Sequence, residues 1–427
     1  MNRKSGEYVS STVAGETVSA FIPYPLPPLN PPLDVDGALA PLLARAIEQL
    51  QLLEMAGDLF SSGEWLVNAF IRKEAVLSAQ IEETKATLMD VLEMEIWGGD
   101  PVVAEHEEIH GYLAALNYAR DALGRESGLP ISMGLLDQAH GRLFHGAKGS
   151  RVISGKVRDT QNWIGGTTPG TASFVPPPPD RLGELLRTFE DALKGESELH
   201  PLMRTGLLHA HFETLHPYLN GNGLMGRLLI SLLLEHWSLL SRPLLYLSTF
   251  LKTHRWEYNR HLMAVRTDGD WEGWLAFFLE GVAVVAAEAV MSIKRLHAVV
   301  TKHRARLVAR DDTTVISIRL FDLLTVHPVM NVTRVVELLH CSRPAAAKAL
   351  RVLESAGVLS PLDERKRNHT LVFTEYCDIL CEGCELSPNR GWSEYSETLS
   401  QEPDDADPDA LDDPVEQPPQ RIPLHLL

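Results

Sequence analysis

The stretch His209-Ala-His-Phe-Glu-Thr-Leu-His216-Pro-Tyr-Leu-Asn220-Gly221-Asn222-Gly223-Leu224-Met-Gly-Arg227 gathers residue types suited to holding an anion beside a base. Gly221 and Gly223 free the backbone to turn successive N–H groups inward where a helix begins, and the helix N-terminus adds partial positive charge. Together these make a nest for phosphate. Arg227, one turn into that helix, reaches a terminal phosphate as a bidentate donor. His216 stands just before the nest, where a general base could meet a phosphoryl group, and Asn222 can hold the loop through its side chain. Taken alone, the same residues also describe a helix–turn–helix corner with a capping Asn.

The wider pattern narrows this. The segment resembles the signature of the Fic (filamentation induced by cAMP) family, His-Pro-Phe-x-Asp/Glu-Gly-Asn-Gly-Arg-x-x-Arg. Arg158-Asp-Thr-Gln-Asn-Trp-Ile-Gly-Gly166 is similar to that family's flap, Phe174-Val-Pro-Pro-Pro-Pro179 follows it, and Leu244-Leu-Tyr-Leu-Ser248 and Tyr258 also fit. The resemblance spans roughly residues 20 to 300. It implies a protein adenylyltransferase that moves AMP from ATP, with Mg²⁺ or Mn²⁺, onto a Ser, Thr or Tyr hydroxyl of a target protein. His216 would deprotonate the hydroxyl, Gly221, Asn222 and Gly223 would cradle the phosphates, and Arg227 would hold the terminal one. The flap residues Thr160, Gln161, Asn162 and Trp163 would pair with an extended segment of the target. Tyr258 and Asn259 fall where the family lines its adenine pocket with a Tyr pair.

The resemblance also implies a brake. Family members of this layout carry Ser/Thr-x-x-x-Glu-Gly/Asn on an earlier helix, and this chain has Ser78-Ala-Gln-Ile-Glu82-Glu83, with Ser78 and Glu82 one turn apart on one face. Glu82 would pair with Arg227 and block productive ATP binding; Glu83 departs from the pattern. Two further departures are Asn220 in place of the metal-holding acid and Leu224 in place of the first Arg. An amide oxygen at Asn220 is a weak ligand for a hard cation that prefers carboxylates. A missing cation near phosphate is often worth about 2.7–4 kcal/mol. Three readings stay open: a slow AMP transferase, a transferase of another nucleotide, or a weakened Fic-like protein acting as a nucleotide-binding or DNA-binding regulator.

Helical periodicity supplies the elements that must position these residues. Leu39, Leu42, Leu43, Ala46, Leu50 and Leu53 recur at helical spacing. Further helices are expected at 105–123, 202–215, 223–237, 254–265 and 271–286, and Val157, Trp163 and Ile164 before Gly165–Gly166 suggest a short hairpin. The fold class is mainly α: a Fic-type helical core with a β-hairpin flap, plus a C-terminal winged helix-turn-helix. The expected divisions are a Pro-rich N-terminal arm at 1–35, a helical region with the inhibitory helix at 36–100 and a core at 101–288. A linker helix at 289–312, the winged helix at 313–384 and an acidic tail at 385–427 complete the chain.

Charge is distributed unevenly across these regions. The 427 residues hold 39 basic and 57 acidic side chains, a formal charge of −18, and half of it lies from Glu385 onward. Between Lys302 and Arg367 the balance reverses to twelve basic against seven acidic. There Arg343, Lys348 and Arg351 fall on the expected recognition helix and Arg365, Lys366 and Arg367 in the wing. DNA binding and a docking or dimerising role, including a homodimer, are both open for this module. An acidic body must hold an anionic ligand through local donors, since its overall field is unfavourable. Four cysteines make no disulfide framework, and Cys377, Cys381 and Cys384 read as small apolar residues at a helix end. No leader is visible in Met1–Phe21, and the apolar runs at 228–234 and 281–287 stop at Glu235 and Glu288, short of a membrane span. A cytoplasmic protein is expected.

Overall fold

The computed structural model describes residues 3–13, 15–59, 64–97, 104–124, 130–144, 154–362 and 370–386. The chain begins with strands β1 (Gly6–Val13) and β2 (Glu16–Pro23), paired antiparallel from Gly6↔Pro23 to Val13↔Glu16. The expected extended arm is therefore a hairpin over these residues, with the proline-rich segment following it. The β-branched and aromatic residues Tyr8, Val9, Thr12, Val13, Thr17, Val18 and Ile22 favour a strand. Val13, Val18 and Ala20 bury against Val175, with Trp163 packed alongside.

Helices follow: α1 (Leu39–Asp58), α2 (Glu64–Ile81), α3 (Leu88–Trp97), α4 (Ala104–Leu123), α5 (Met133–Leu143), α6 (Pro179–Lys194), α7 (Pro201–Leu215), α8 (Asn222–His236), α9 (Ser248–Thr253), α10 (Arg255–Thr267) and α11 (Trp271–Val308). The α1 stripe Leu39, Ala46, Leu50 and Leu53 faces inward and packs on α11. Helices α2, α7 and α8 are buried on nearly every side, so the elements carrying the candidate site form the centre of the core. The core helix and the linker helix expected as two elements are one, α11, because no proline or helix-ending glycine interrupts 282–308. It is long and apolar enough to cross a membrane by length and composition, but over half of its most apolar window is buried inside the protein.

The flap also differs from expectation. Between α5 and α6 no strand pair forms among the described residues; a single bridge joins Ile164 to Phe174 around a 3₁₀ turn at Pro169–Thr171. Beside this bridge, flap side chains bond to backbone carbonyls. Gln161 donates to Pro176 O at 2.8 Å and Asn162 to Tyr218 O at 3.1 Å.

The C-terminal elements are α12 (Val315–Leu323), β3 (Val329–Met330), α13 (Val332–Leu339), α14 (Arg343–Ser355), β4 (Ser360–Pro361), β5 (Leu371–Val372) and α15 (Thr374–Cys381), with sheet order β3-β5-β4. Asn331 caps α13 by accepting from Arg334 N at 2.8 Å, and the turn to α14 passes through left-handed His340. Arg343, Lys348 and Arg351 are exposed along α14. Arg365, Lys366 and Arg367, and the tail from Ser387, lie outside the described residues.

This C-terminal part shares the main apolar core with the helical body. Its last turn lies against α2: Gln80 Nε2 donates to both Ala86 O and Cys384 O, at 2.8 and 2.9 Å. The Tyr376 ring lies tilted against that of Trp65, centroids 6.0 Å apart, and Arg295 pairs with Glu382 at 2.6 Å. Burial pushes the Cys381 thiol up to about 12 and Cys384 to about 11, so neither offers a thiolate at neutral pH. Among the described residues no group of three His, Cys, Asp or Glu side chains is placed to hold a metal ion.

Candidate nucleotide-transfer site

Two helices pack tightly to build this site. A β-carbon at Gly226 would overlap the Glu213 carboxylate and crowd the His209 ring, so glycine there lets α7 approach the first turns of α8. Between them the chain turns at His216–Gly221. His216 caps α7 in the left-handed region, φ +48°, a conformation a non-glycine residue adopts only where its surroundings hold it. Arg158 supplies that hold: its Nε donates to His216 O at 2.9 Å and its Nη2 to Pro177 O at 2.6 Å. Arg266 braces the end of α7 by donating to Thr214 Oγ1 and Glu213 O, both at 3.2 Å, with its guanidinium 3.9 Å from the Phe174 ring.

Burial, with Arg158 and Arg266 close by, pushes the His216 imidazole down to about 3. The ring is therefore neutral at physiological pH, as an acceptor must be, and its Nδ1 has no hydrogen-bond partner. Burial likewise depresses Arg158 and Arg266, each to about 10, which leaves both charged.

The loop after His216 is locked from within. Asn222 Oδ1 accepts from Tyr218 N at 2.8 Å and its Nδ2 donates to Tyr218 O at 2.7 Å. Gly221 carries φ +74° at the N-cap of α8. His140 ties the loop to the segment entering the flap. Gly155 N–H donates to its Nδ1 at 2.8 Å, so Nε2 holds the proton and donates to Asn220 O at 3.0 Å. Its ring lies 3.9 Å from that of Tyr218.

Arg227 is 2 % exposed and meets both expected brake residues. Its Nε donates to Ser78 Oγ at 2.8 Å, and its Nη2 donates to Ser78 O at 3.0 Å and to Glu82 Oε1 at 2.7 Å. Burial opposes its charge, but Glu82, Tyr258 and Glu213 around it hold the guanidinium protonated even more firmly than usual. A β-carbon at Gly223 would overlap Glu82 Oε1. The Glu82 carboxylate thus lies on the loop where an anion would sit.

The structure brings together His216, Gly221, Asn222, Gly223, Arg227, Ser78 and Glu82. Tyr258 is buried on α10 with its hydroxyl on His209, while Asn259 beside it is partly exposed. Asn220 exposes its side chain at the mouth of the loop, and Leu224 is 2 % exposed within the main core. Thr160 accepts at its carbonyl from Arg158 at 3.3 Å, and Trp163 packs beside the N-terminal hairpin. The residues that sequence reasoning left without a role are His140, Arg158, Glu213, His209 and Arg266. His209 and Glu213, four residues apart on one face of α7, with His216 just past its end, were the available signal.

Family models match the segments that carry these residues. Residues 40–121 match the Fic/DOC family N-terminal model and residues 130–234 the Fic/DOC family model. Residues 130–234 are thus similar to a Fic/DOC domain, and residues 40–121 to its N-terminal region. Proteins similar to this chain include the protein adenylyltransferase Fic of Drosophila willistoni, 31% identical over 153 residues, or 35% of this chain and 28% of that protein. Another is the protein adenylyltransferase fic-1 of Caenorhabditis elegans, 31% identical over 134 residues, or 31% of this chain and 25% of that protein. The chain thus spans less than a third of the length of these curated relatives. Among solved structures, a Fic family protein from Desulfovibrio desulfuricans G20 is 20% identical with a TM-score of 0.48, covering 78% of this chain and 96% of that one. Residues 134–508 of Fic-1 from C. elegans are 22% identical with a TM-score of 0.47, covering 63% and 74%.

Proposed function

We propose that this chain is a protein adenylyltransferase held off by Glu82. The observation that carries the reading is the Glu82 carboxylate lying on Gly223 and bonded to Arg227, in the place a terminal phosphate would take. The N–H groups of Arg227 that meet the brake are donors of the kind that bind phosphate bidentately.

With Glu82 withdrawn, ATP binds with its phosphates over Gly221–Gly223 and its terminal phosphate on Arg227. Neutral His216 accepts the proton of a target Ser, Thr or Tyr hydroxyl. The hydroxyl oxygen then bonds to the α-phosphorus as the bond to the bridging oxygen breaks, and pyrophosphate leaves. The flap residues Thr160–Trp163 align the target segment. The residues present do not fit a resident divalent cation: the loop position that would ligate it is the exposed amide of Asn220, a neutral donor where a hard cation prefers carboxylate. Leu224 at the other departing position leaves Arg227 with a larger share of the phosphate charge, which supports slow turnover.

The test is transfer of label from α-³²P-ATP by wild type, Glu82→Gly and His216→Ala. Label that rises with Glu82→Gly and vanishes with His216→Ala supports the reading; absence of label from Glu82→Gly after prolonged incubation overturns it.

A second role is supported by Arg343, Lys348 and Arg351, all exposed on α14. Contact of this helix with duplex DNA would show affinity that falls steeply with salt, and a flat salt response would remove it.

A further inference from the structure

Strands β1 and β2 pair in one unbroken register from Gly6↔Pro23 to Val13↔Glu16, and the bonds around them show which backbone groups of β1 are used. Phe21 N–H donates to Val175 O at 2.9 Å, on the side of β2 away from β1. Its partner across the hairpin is Tyr8. Tyr8↔Phe21 is therefore a pair without ladder hydrogen bonds, and the N–H and C=O of Tyr8 face outward. Two residues on, Pro23 has no N–H to give and stands opposite Gly6 in a pair of the same kind. Tyr24 N–H, the next along, donates to Ser5 O at 2.8 Å, as the alternation requires. Gly6, Tyr8, Ser10 and Thr12 thus present a row of outward backbone groups. Among the described residues no hydrogen bond reaches that row, and Tyr8, Ser10 and Thr12 are exposed.

An open edge of eight residues exceeds the usual strand of about five or six. Folded proteins blunt such edges with proline, lysine, a bulge or a covering element. Gly6–Val13 has no proline, lysine or bulge, and its one charge is Glu7. The edge also matches itself. In an antiparallel pairing about a two-fold axis at Val9, Gly6 faces Thr12 of the second copy and Tyr8 faces Ser10, so all four outward residues are used. Glu7 meets Ser11 rather than another Glu7, and no like charges are set opposite each other. Val9, packed against the Val13, Val18 and Ala20 cluster, meets its own copy and extends that apolar patch across the axis. A slip by one residue would set outward groups against inward ones.

We propose that two copies of this chain associate through their β1 edges, forming a four-stranded sheet in the order β2, β1, β1, β2. Val175, at the end of the flap region, bonds to the far side of β2, so both flaps keep to the outer margins of that sheet. An extended segment of a target protein on β1 would have β2 between it and the flap, which favours a second copy as the occupant. The association does not depend on the adenylyltransferase reading. One strand pair makes a small interface of the weak, reversible class.

The test is sedimentation velocity on the full chain over about 1–200 µM, a range that brackets weak association. Wild type should pass from monomer toward dimer as concentration rises. Ser10→Pro removes an outward N–H and leaves the bonds to β2 in place, since proline is accepted on a strand edge. It should remain monomeric, with the melting temperature of dilute wild type. Two cysteine variants read the register directly. Opposed Val9 residues form a pair with α-carbons about 4.5 Å apart, within disulfide reach, whereas the two Ser11 residues lie about 14 Å apart. With oxidised glutathione, Val9→Cys should therefore form a covalent dimer about tenfold faster than Ser11→Cys, or more. Should Ser10→Pro fail to fold, the cysteine pair decides. Wild type monomeric across the range, Ser10→Pro still dimeric, or equal cross-linking of the two cysteine variants would overturn the proposal. Monomeric wild type whose labelling of a target protein falls with Ser10→Pro would overturn it in favour of a target segment on the same edge.

Discussion

The Nη2 of Arg227 donates to Glu82 Oε1 at 2.7 Å across 145 residues of sequence, while Ser78, one turn earlier, holds Nε of the same guanidinium at 2.8 Å. One arginine is thus clasped by two residues of one helix face. The two contacts should not contribute equally. Removing the carboxylate frees the loop as well as the arginine, so Glu82→Gly should raise transfer about tenfold or more, whereas Ser78→Ala removes one hydroxyl acceptor and should raise it about threefold. Initial rates of label incorporation check this. A Ser78→Ala rate equal to wild type would show that the clasp is the carboxylate's alone.

Glu83, just past the end of α2, has φ +73°, a left-handed conformation in which a side chain costs about 1–2 kcal/mol and where helices usually place glycine or asparagine. The departure at this position is therefore a conformational burden, offset in part by an exposed Arg255 contact at 3.4 Å that is worth little. Glu83→Gly should raise the melting temperature by about 1–2 °C. It should leave the Glu82–Arg227 pair intact, so basal labelling stays low. A lower melting temperature would count against the strain.

Glu213 is 7 % exposed, with one carboxylate oxygen lacking a hydrogen-bond partner, and burial raises it to about 7. A carboxyl whose folded value lies above its unfolded value near 4.5 stabilises the fold most at low pH, and that contribution is lost as pH rises through about 7. Glu213→Gln mimics the protonated form. Relative to wild type, its melting temperature should be near neutral at pH 5 and gain steadily up to pH 8. A difference that does not vary with pH would show that the carboxylate is satisfied in its charged form by Arg227 and Arg266.

Gln80 lies between Ser78 and Glu82 and spends its amide on Ala86 O and Cys384 O. Gln80→Ala cuts the link between α2 and the C-terminal turn without touching Arg227. Labelling should rise to a value between wild type and Glu82→Gly. A rate unchanged from wild type, with the melting temperature lowered, would make Gln80 a purely structural tie.

What could be read from the sequence follows the distance over which each contact acts. His216, Asn222 and Arg227 share twelve residues, and local rules of turn, cap and helix spacing placed them. The Glu82–Arg227 clasp joins distant segments and was legible only through a family resemblance. His209 on Tyr258 and Gln80 on Cys384 span 49 and 304 residues, and no local pattern announces such pairs because tertiary packing selects them. At the N-terminus the prolines after Pro23 drew the reading toward an extended arm, although the alternating β-branched residues before them carried the hairpin. The helix expected to end at Ala286 runs on through exposed Glu288, since a single solvent-facing glutamate does not stop a helix whose other face stays apolar.

Helix α11 buries Trp271, Trp274 and Phe278 at one end and Val299, His303 and Leu307 at the other, serving both the helical body and the C-terminal part. A gene junction placed anywhere within 271–308 would strand an apolar face on each product. Recombination that moves the basic C-terminal part to another protein must therefore take the whole helix along. The heritable unit of exchange is set by this shared spine, not by the change in charge along the chain.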